Sequence, residues 1–205
     1  MQNVRNPAER LPTDERQSAI VGAALSLAAG NSPAAITTTE LASAVGLSQG
    51  ALFKHFASKD AVWRAAMDWA AEQLLRTLSD AASSTPSPCA ALRAVFDAHV
   101  AFVAAHPGVP RLVLHQLQQA GDTPIKQRAR DLMQAHRTLV QDLLRKAVAA
   151  HEAADDLDVP AAATMFLGQI QGLAMQSVMS GQTGAMRELA PRVFAIYERG
   201  IRVQR

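Results

Sequence analysis

Apolar side chains recur at intervals of three and four residues along most of the chain, and this spacing predicts amphipathic helices. Alternation of β-branched and polar residues, which would indicate strands, is almost absent. We therefore predict an all-α fold. Breaks in the pattern divide it into helices at about residues 14–29, 38–45, 49–56, 59–82, 92–103, 112–119, 125–147, 160–180 and 185–203, the last with a kink or a late start at Pro191.

Capping residues set the ends of the short helices between residues 36 and 60. Thr37 is followed three positions later by Glu40, which is the spacing of a capping box, and Gly46 supplies the left-handed residue that ends a helix. Ser48 and Ser58 are typical N-caps for the next two helices. The sequence therefore predicts two short helices joined by a tight turn, and a long helix after them.

The two short helices divide into an inward and an outward set of side chains. The inward set has a small residue at the expected crossing and three larger ones: Ala42, Leu47, Leu52 and Phe56. The outward set contains two small residues, two hydrogen-bond donors and no acid: Gly50, Ala51, Lys54 and His55. Close approach and donors are what a helix needs against base edges in the major groove. This favours a DNA-reading helix-turn-helix over an unrelated pair of packed helices.

Composition narrows the function without identifying it. The 205 residues, 49% hydrophobic and 19% charged, can bury a sizeable core, but a formal charge of +2 is too small to indicate nucleic acid by itself. A single cysteine, Cys89, excludes an internal disulfide and a multi-cysteine metal site. No paired nucleophile and base and no Gly-rich phosphate loop are recognisable. We expect no enzyme activity, no metal and no cofactor.

Two observations concern location. The N-terminal stretch "MQNVRNPAERLPTDERQ" has no apolar segment of the signal-peptide type, so a cytoplasmic protein is expected. Residues 159–186 contain no charged side chain, and Gly168 and Gly172 lie four apart as in membrane helix pairs. Because Thr164 and several glutamines interrupt this stretch, a buried or interface helix is favoured over a membrane span.

Several side chains in the second half of the chain could bind a small molecule. Histidines on apolar stripes, soft methionines and an amide suit a pocket for an uncharged or weakly charged organic compound. The candidates are Phe96, His99, His115, Met133, His136, Met165 and Gln169. The alternative for each histidine is a core residue whose ring bonds a backbone carbonyl.

The string "ITTTELASAVGLSQGALFKHFASKD" resembles the signature of the TetR family of bacterial transcriptional regulators. The resemblance is specific over residues 16–70. It implies a homodimer with an N-terminal arm and helix-turn-helix DNA-binding domain, residues 1–62, and a helical ligand-binding and dimerisation domain, residues 63–205. It also implies a repressor that binds a palindromic operator and is released by a small organic ligand.

Carried over position by position, the resemblance implies the following DNA-facing residues: Thr38, Thr39, Gln49, Gly50, Ala51, Phe53, Lys54 and His55. Lys59, at the start of the fourth helix, would bind a phosphate. The family often has tyrosine at the position of Phe53, so a hydroxyl contact to the DNA backbone is missing or replaced. This departure and the mild charge of the head keep open a helical sensor or interaction protein without sequence-specific DNA binding.

Apolar residues of the last two helices suggest where a dimer would form. The pattern offers more apolar surface than one small domain covers, from Leu167, Ile170, Leu173, Val178, Leu189, Val193, Ile196 and Tyr197. Gly168 and Gly172 would allow close helix packing. An activator, or a nucleoid-style DNA binder without a ligand, would have the same sequence features.

Overall fold

A computed structural model describes residues 12–181 and 183–202. Within these residues it contains helices and turns and no strand, so the all-α prediction is confirmed. The helices are α1 (Thr13–Ala28), α2 (Thr38–Ala44), α3 (Gln49–Leu52), α4 (Lys59–Ala82), α5 (Pro88–Ala105), α6 (Gly108–Gln118), α7 (Pro124–Ala149), α8 (Val159–Ser180) and α9 (Thr183–Ile201). The predicted N-terminal arm, apart from its last residues, lies outside the described part of the chain.

The predicted caps of α2 are present. The Thr37 hydroxyl accepts from the Glu40 N–H at 3.1 Å, and the Glu40 carboxylate accepts from the Thr37 N–H at 2.7 Å, which completes the capping box. Gly46 has φ +68°, and the N–H groups of Gly46 and Leu47 donate to Ser43 and Ala42. These paired bonds form a Schellman motif, which only a residue that tolerates positive φ can complete at low cost.

The third helix is shorter than predicted. It ends at Leu52, whereas the sequence pattern extended it to residue 56. The N–H groups of Lys54 and His55 donate to carbonyls three residues back, which tightens the chain into turns, and Ser58 then caps α4. Lys54 and His55 therefore lie beyond the helix and not on its outward side.

Helix α4 runs from the head into the rest of the molecule. Near its start it packs against α1, and along its length it packs against α5 and α7. Its buried residues include Val62, Trp63 and Met67, and Asp68 accepts from Arg128 of α7 at 3.1 Å. The head and the body consequently share one continuous helix.

Helix α5 is the centre of the body. It packs against α4, α7, α8 and α9, and its Phe96 ring contacts Phe166 of α8 and Phe194 of α9. Among the described helices, α5 alone is long and apolar enough to cross a membrane by length and composition, and half of that window is buried inside the protein. Its apolar face is the core of this bundle.

The last two helices form one layer against the core. The Tyr197 hydroxyl of α9 donates to the Ala162 carbonyl of α8 at 3.1 Å. Helix α9 begins at Thr183, and Pro191 lies inside it, so a late start at this proline was the wrong alternative. The turn before α9 contains Gly181, which has φ +69° and ends α8.

Candidate DNA-binding surface and ligand-binding core

Helices α2 and α3 are held together by a buried apolar core on one side and by a side-chain hydrogen bond on the other. Leu41, Ala42 and Leu52 are buried between the helices and α1, and Phe56 closes the same core. On the outside, the Gln49 amide donates to the Thr38 hydroxyl at 2.7 Å and ties the start of α3 to the start of α2. The predicted inward set is thus buried or, for Leu47, half-buried.

The structure brings the predicted DNA-facing residues to one region around α2 and α3. Five of them are exposed: Thr39, Gln49, Gly50, Phe53 and Lys54. The other four are half-buried: Thr38, Ala51, His55 and Lys59. The Phe53 ring is 43% exposed, so its surface is accessible to a partner.

Two of the half-buried residues hold the backbone of the head. The carbonyl of His55 accepts from the Gln17 amide of α1 at 3.0 Å, and within the described residues the His55 Nδ1 atom is buried without a partner. The Lys59 ammonium donates to the Ala34 carbonyl at 2.9 Å. Lys59 consequently has a structural contact in the absence of DNA. Elsewhere in the head, hydrogen bonds from Thr37 are the main reason that the pKa of Glu40 lies below its ordinary value.

The ligand candidates do not form one pocket. Phe96, His99 and His136 meet in the core, where the two imidazole rings are 4.8 Å apart and His136 is fully buried. His115 lies in a crevice of about 400 Å³ between head and body. Met133 borders a groove beside α6, and Met165 and Gln169 border another between α8 and α9. Three of the seven are therefore together, and four are elsewhere.

The histidine pair is uncharged at neutral pH. Burial lowers the pKa of His136 to about 4, and burial with the neighbouring His136 lowers the pKa of His99 well below its ordinary value. Within the described residues, both His136 nitrogens and His99 Nδ1 have no hydrogen-bond partner. The alternative of a ring bonded to a backbone carbonyl is thus not realised for His136. No group of three potential metal-binding side chains is found in the described part of the chain.

The exposed face of α8 and α9 differs from the predicted one. Leu167, Ile170, Leu173 and Tyr197 are buried against the core of their own chain. The exposed large apolar side chains of these two helices are Met165, Met175, Met179 and Ile196. A Cβ added at Gly168 or Gly172 would meet no atom within 4 Å, so neither glycine serves packing inside the chain.

The residues that sequence reasoning missed lie on the same helices as those it found. Phe166 contacts both Phe96 and His136, with ring centroids 5.8 and 6.1 Å away. Its place on the apolar stripe of α8 was visible, but the helix it faces was not. Met175 and Met179 continue from Met165 at helical spacing, a signal that could have identified the exposed stripe.

A helix-turn-helix head on an all-helical body defines the class of this protein as a DNA-binding regulator. Residues 20–66 match the family described as "Bacterial regulatory proteins, tetR family", and residues 88–193 match "Tetracyclin repressor-like, C-terminal domain". The second match alone spans more than half of the 205 residues. The chain therefore belongs to the TetR family of transcriptional regulators, in which an N-terminal domain binds DNA and a C-terminal domain binds a ligand.

Curated relatives include two nucleoid occlusion factors named SlmA. The one from Vibrio cholerae is 25% identical over 145 residues, which is 71% of this chain and 74% of the relative. The one from Shewanella baltica is 26% identical over 148 residues, with the same shares covered. These relatives match along most of both chains at low identity.

Solved structures share the fold over nearly the whole chain. The ketosteroid transcriptional regulator KstR2 of Mycobacterium tuberculosis has a TM-score of 0.78 at 21% identity, covering 92% of this chain and 96% of that one. FadR from Bacillus subtilis, solved in complex with stearoyl-CoA, has a TM-score of 0.74 at 19% identity, covering 91% and 99%. At these identities the likeness shows the fold.

Proposed function

We propose that this protein is a dimeric repressor that covers a palindromic operator until a small organic ligand changes the placement of its heads. The observation that carries the proposal is the exposed surface formed by α3 and the turns after it, which contains Gln49, Gly50 and Lys54. Glu40, the exposed acid of α2, is held in the capping box by Thr37. A surface of small residues and donors suits base edges and phosphates. Residues 1–62 would form the DNA-binding domain and residues 63–205 the ligand-binding and dimerisation domain, acting in the cytoplasm.

Within this proposal the head residues have different tasks. Gln49, Gly50, Ala51, Lys54 and His55, with Thr38 and Thr39 beside them, would line the major groove. Lys59 would exchange its Ala34 contact for a phosphate oxygen, because an ammonium gains more from a charged acceptor than from a carbonyl. Phe53 would pack its exposed ring against the sugar-phosphate backbone.

The dimer would form through the exposed face of α8 and α9. Met165 is 62% exposed and Ile196 is 64% exposed, and both border the same apolar groove of about 340 Å³. Gly168 lies on the exposed side of α8 with open space around it, which would let a partner helix approach closely. Two-fold symmetry then places two heads about 34–36 Å apart, in successive major grooves.

The ligand would bind next to the histidine pair. Phe96 and His136 are fully buried, so an effector must separate α5, α7 and α8 to reach them. Uncharged imidazoles in an apolar core, with Phe166 against His136, favour a mainly apolar compound with a hydroxyl or carbonyl group. The acyl chain of the stearoyl-CoA bound by FadR is an apolar group of this kind, although the CoA part of that compound is charged.

A binding titration on the DNA flanking the protein's own gene tests the function. The ligand-free protein should shift this DNA at low salt, more strongly than scrambled DNA of equal length. Lys54→Ala should weaken the preference, whereas Arg76→Ala, an exposed arginine on α4 away from the head, should leave it unchanged. Equal binding of both DNAs, or none, would refute the repressor and support the helical sensor.

A nucleoid-style DNA binder is a second candidate, favoured by the SlmA relatives. It would bind many chromosomal sites and would show no release by small compounds. Chromatin immunoprecipitation separates the two functions, because a repressor should occupy a few promoters and a nucleoid binder should occupy sites spread along the chromosome.

A further inference from the structure

Gly108, the first residue of α6, lies directly against the backbone of α1. A Cβ placed on it would be 1.9 Å from the Leu25 carbonyl oxygen and 2.9 Å from the Leu25 carbonyl carbon. It would also lie 3.2 Å from the Ala28 side chain. Because the obstructing atoms belong to a helix backbone and not to a movable side chain, no residue other than glycine fits while α1 and α6 keep this distance.

The glycine is required for space and not for its conformation. The described glycines with positive φ are Gly46, Gly121 and Gly181, and Gly108 is not among them. Gly108 is also buried, whereas each of the other described glycines has open space where a Cβ would be added. The short distance allows its Cα–H group to approach the Leu25 carbonyl, a weak contact that recurs between closely packed helices.

The same turn of α6 also contacts the helix that we assign to the dimer interface. Arg111, three residues after Gly108, donates to the Val178 carbonyl near the end of α8 at 3.3 Å. Pro107 and Pro110 flank this turn and restrict its backbone. One turn of α6 therefore touches α1 of the DNA-binding head on one side and α8 on the other.

We propose that Gly108 sets the distance between the head and the dimer helices, and so determines which half-site separation of an operator the dimer accepts. This inference rests on the proposed function. The added Cβ of an alanine would have to retreat from 1.9 Å to at least 3.0 Å from the Leu25 oxygen, which moves α1 away from α6. Since both heads of a symmetric dimer move, their separation changes while the base-reading residues stay the same.

The test compares Gly108→Ala with Gly22→Ala. Gly22 is an exposed glycine of α1 with no atom within 4 Å of an added Cβ, so both variants make the same substitution at a helical glycine and only Gly108→Ala meets an obstruction. Half-sites are first recovered from random DNA by selection with the unaltered protein. Affinity is then measured on fragments whose two half-sites are moved apart or together one base pair at a time.

The unaltered protein and Gly22→Ala should share one best spacing. Gly108→Ala should bind that spacing at least about tenfold more weakly, select the same half-site sequence and prefer another spacing. Binding within a factor of about two of the unaltered protein at the original spacing would overturn the inference. No DNA binding by the unaltered protein would instead overturn the proposed function, and the spacing role with it.

A distance measurement tests the same geometry without DNA. Ser43→Cys places a spin label on the exposed side of α2, while Cys89 is buried and burial raises the pKa of its thiol to about 11, which disfavours labelling there. The distance between the two labels of a dimer, measured by electron–electron double resonance, should change in Gly108→Ala and not in Gly22→Ala. If Gly108→Ala does not fold, Ala28→Val enlarges the α1 side of the same contact and should change the distance likewise. An unchanged distance in a folded variant would overturn the inference.

Discussion

Mild acid should destabilise this protein through the buried histidine pair. His136 is fully buried, and burial lowers its pKa to about 4 in the folded chain. In the unfolded chain its pKa returns to the ordinary value of 6.5. The unfolded state therefore binds more protons between these two values, and the free energy of unfolding falls as the pH falls from about 6.5 towards about 4.

The size of the effect follows from the difference in pKa. One pKa unit corresponds to about 1.4 kcal/mol, so His136 alone accounts for roughly 3 kcal/mol when the pH has fallen below both values. Between about pH 7.5 and about pH 5, the loss is roughly 2 kcal/mol. His99 acts in the same direction, because burial and His136 lower its pKa too. The pKa of Asp97, raised mainly by burial, acts in the opposite direction at lower pH.

Urea unfolding of the unaltered protein and of His136→Leu at the two pH values measures this effect. Both proteins contain Asp97, so the difference between their pH dependences gives the contribution of His136 together with its effect on the pKa of His99. Protomer concentration must be equal in all samples, because unfolding of a dimer depends on it. His151→Asn is the control: His151 is exposed, and asparagine tolerates its positive φ of 54°.

His136→Leu should lose about 2 kcal/mol less than the unaltered protein on acidification, and His151→Asn should behave as the unaltered protein. Removing two ring nitrogens that have no partner among the described residues should also leave stability at neutral pH unchanged or raise it. If all three proteins lose the same free energy between the two pH values, His136 does not titrate as burial requires, and the reasoning is refuted.

The remaining predictions concern DNA binding and assembly. Lys54→Ala should cost about 1–3 kcal/mol at one operator position, whereas Lys59→Ala should weaken all sequences alike and lower the salt slope by roughly one counterion; equal, sequence-blind losses would contradict these roles. Phe53→Tyr should strengthen binding by on the order of 1 kcal/mol if the hydroxyl reaches a phosphate, and an unchanged Kd on operator DNA would contradict that. Ile196→Glu should produce monomers in sedimentation at micromolar concentration, because the dimer would bury an unpaired charge. Glu188→Gln, at another exposed position of α9, should remain dimeric.

The head was the part of the fold that could be predicted most fully from the sequence. Its helix ends depend on hydrogen bonds between residues three to five positions apart, as in the Thr37–Glu40 capping box and the Gly46 turn. Such bonds are encoded in neighbouring residue types, so a short string is sufficient. The end of α3 was missed because the apolar spacing of Leu52 and Phe56 is kept by a series of tight turns as well as by a helix.

The candidate ligand site could be predicted only in part, since periodicity shows which residues share a face but not which helix that face meets. His99 and His136 were both on apolar stripes, yet only the packing of α5 against α7 brings them to 4.8 Å. Met165 was grouped with them because a soft methionine side chain suits a pocket, but it is exposed. The same ambiguity affected part of the predicted dimer face: Leu167 and Ile170 belong to the inner side of α8, whereas Ile196 is exposed as predicted.

Gly108 shows why the spacing of residues along the sequence does not reveal contacts between distant helices. In "HPGVPR" it looks like a turn glycine beside two prolines, and turn chemistry would explain it fully. Its φ is nevertheless not positive, so the turn does not require glycine. Glycine is required because the carbonyl oxygen of Leu25, more than 80 residues earlier in the chain, occupies the place of a Cβ atom. A close approach between distant helices requires the absence of a side chain, and an absence has no periodic pattern. Residues that set the distance between the head and the body must therefore be sought in the packing, whereas candidates for DNA contact can be proposed from the sequence.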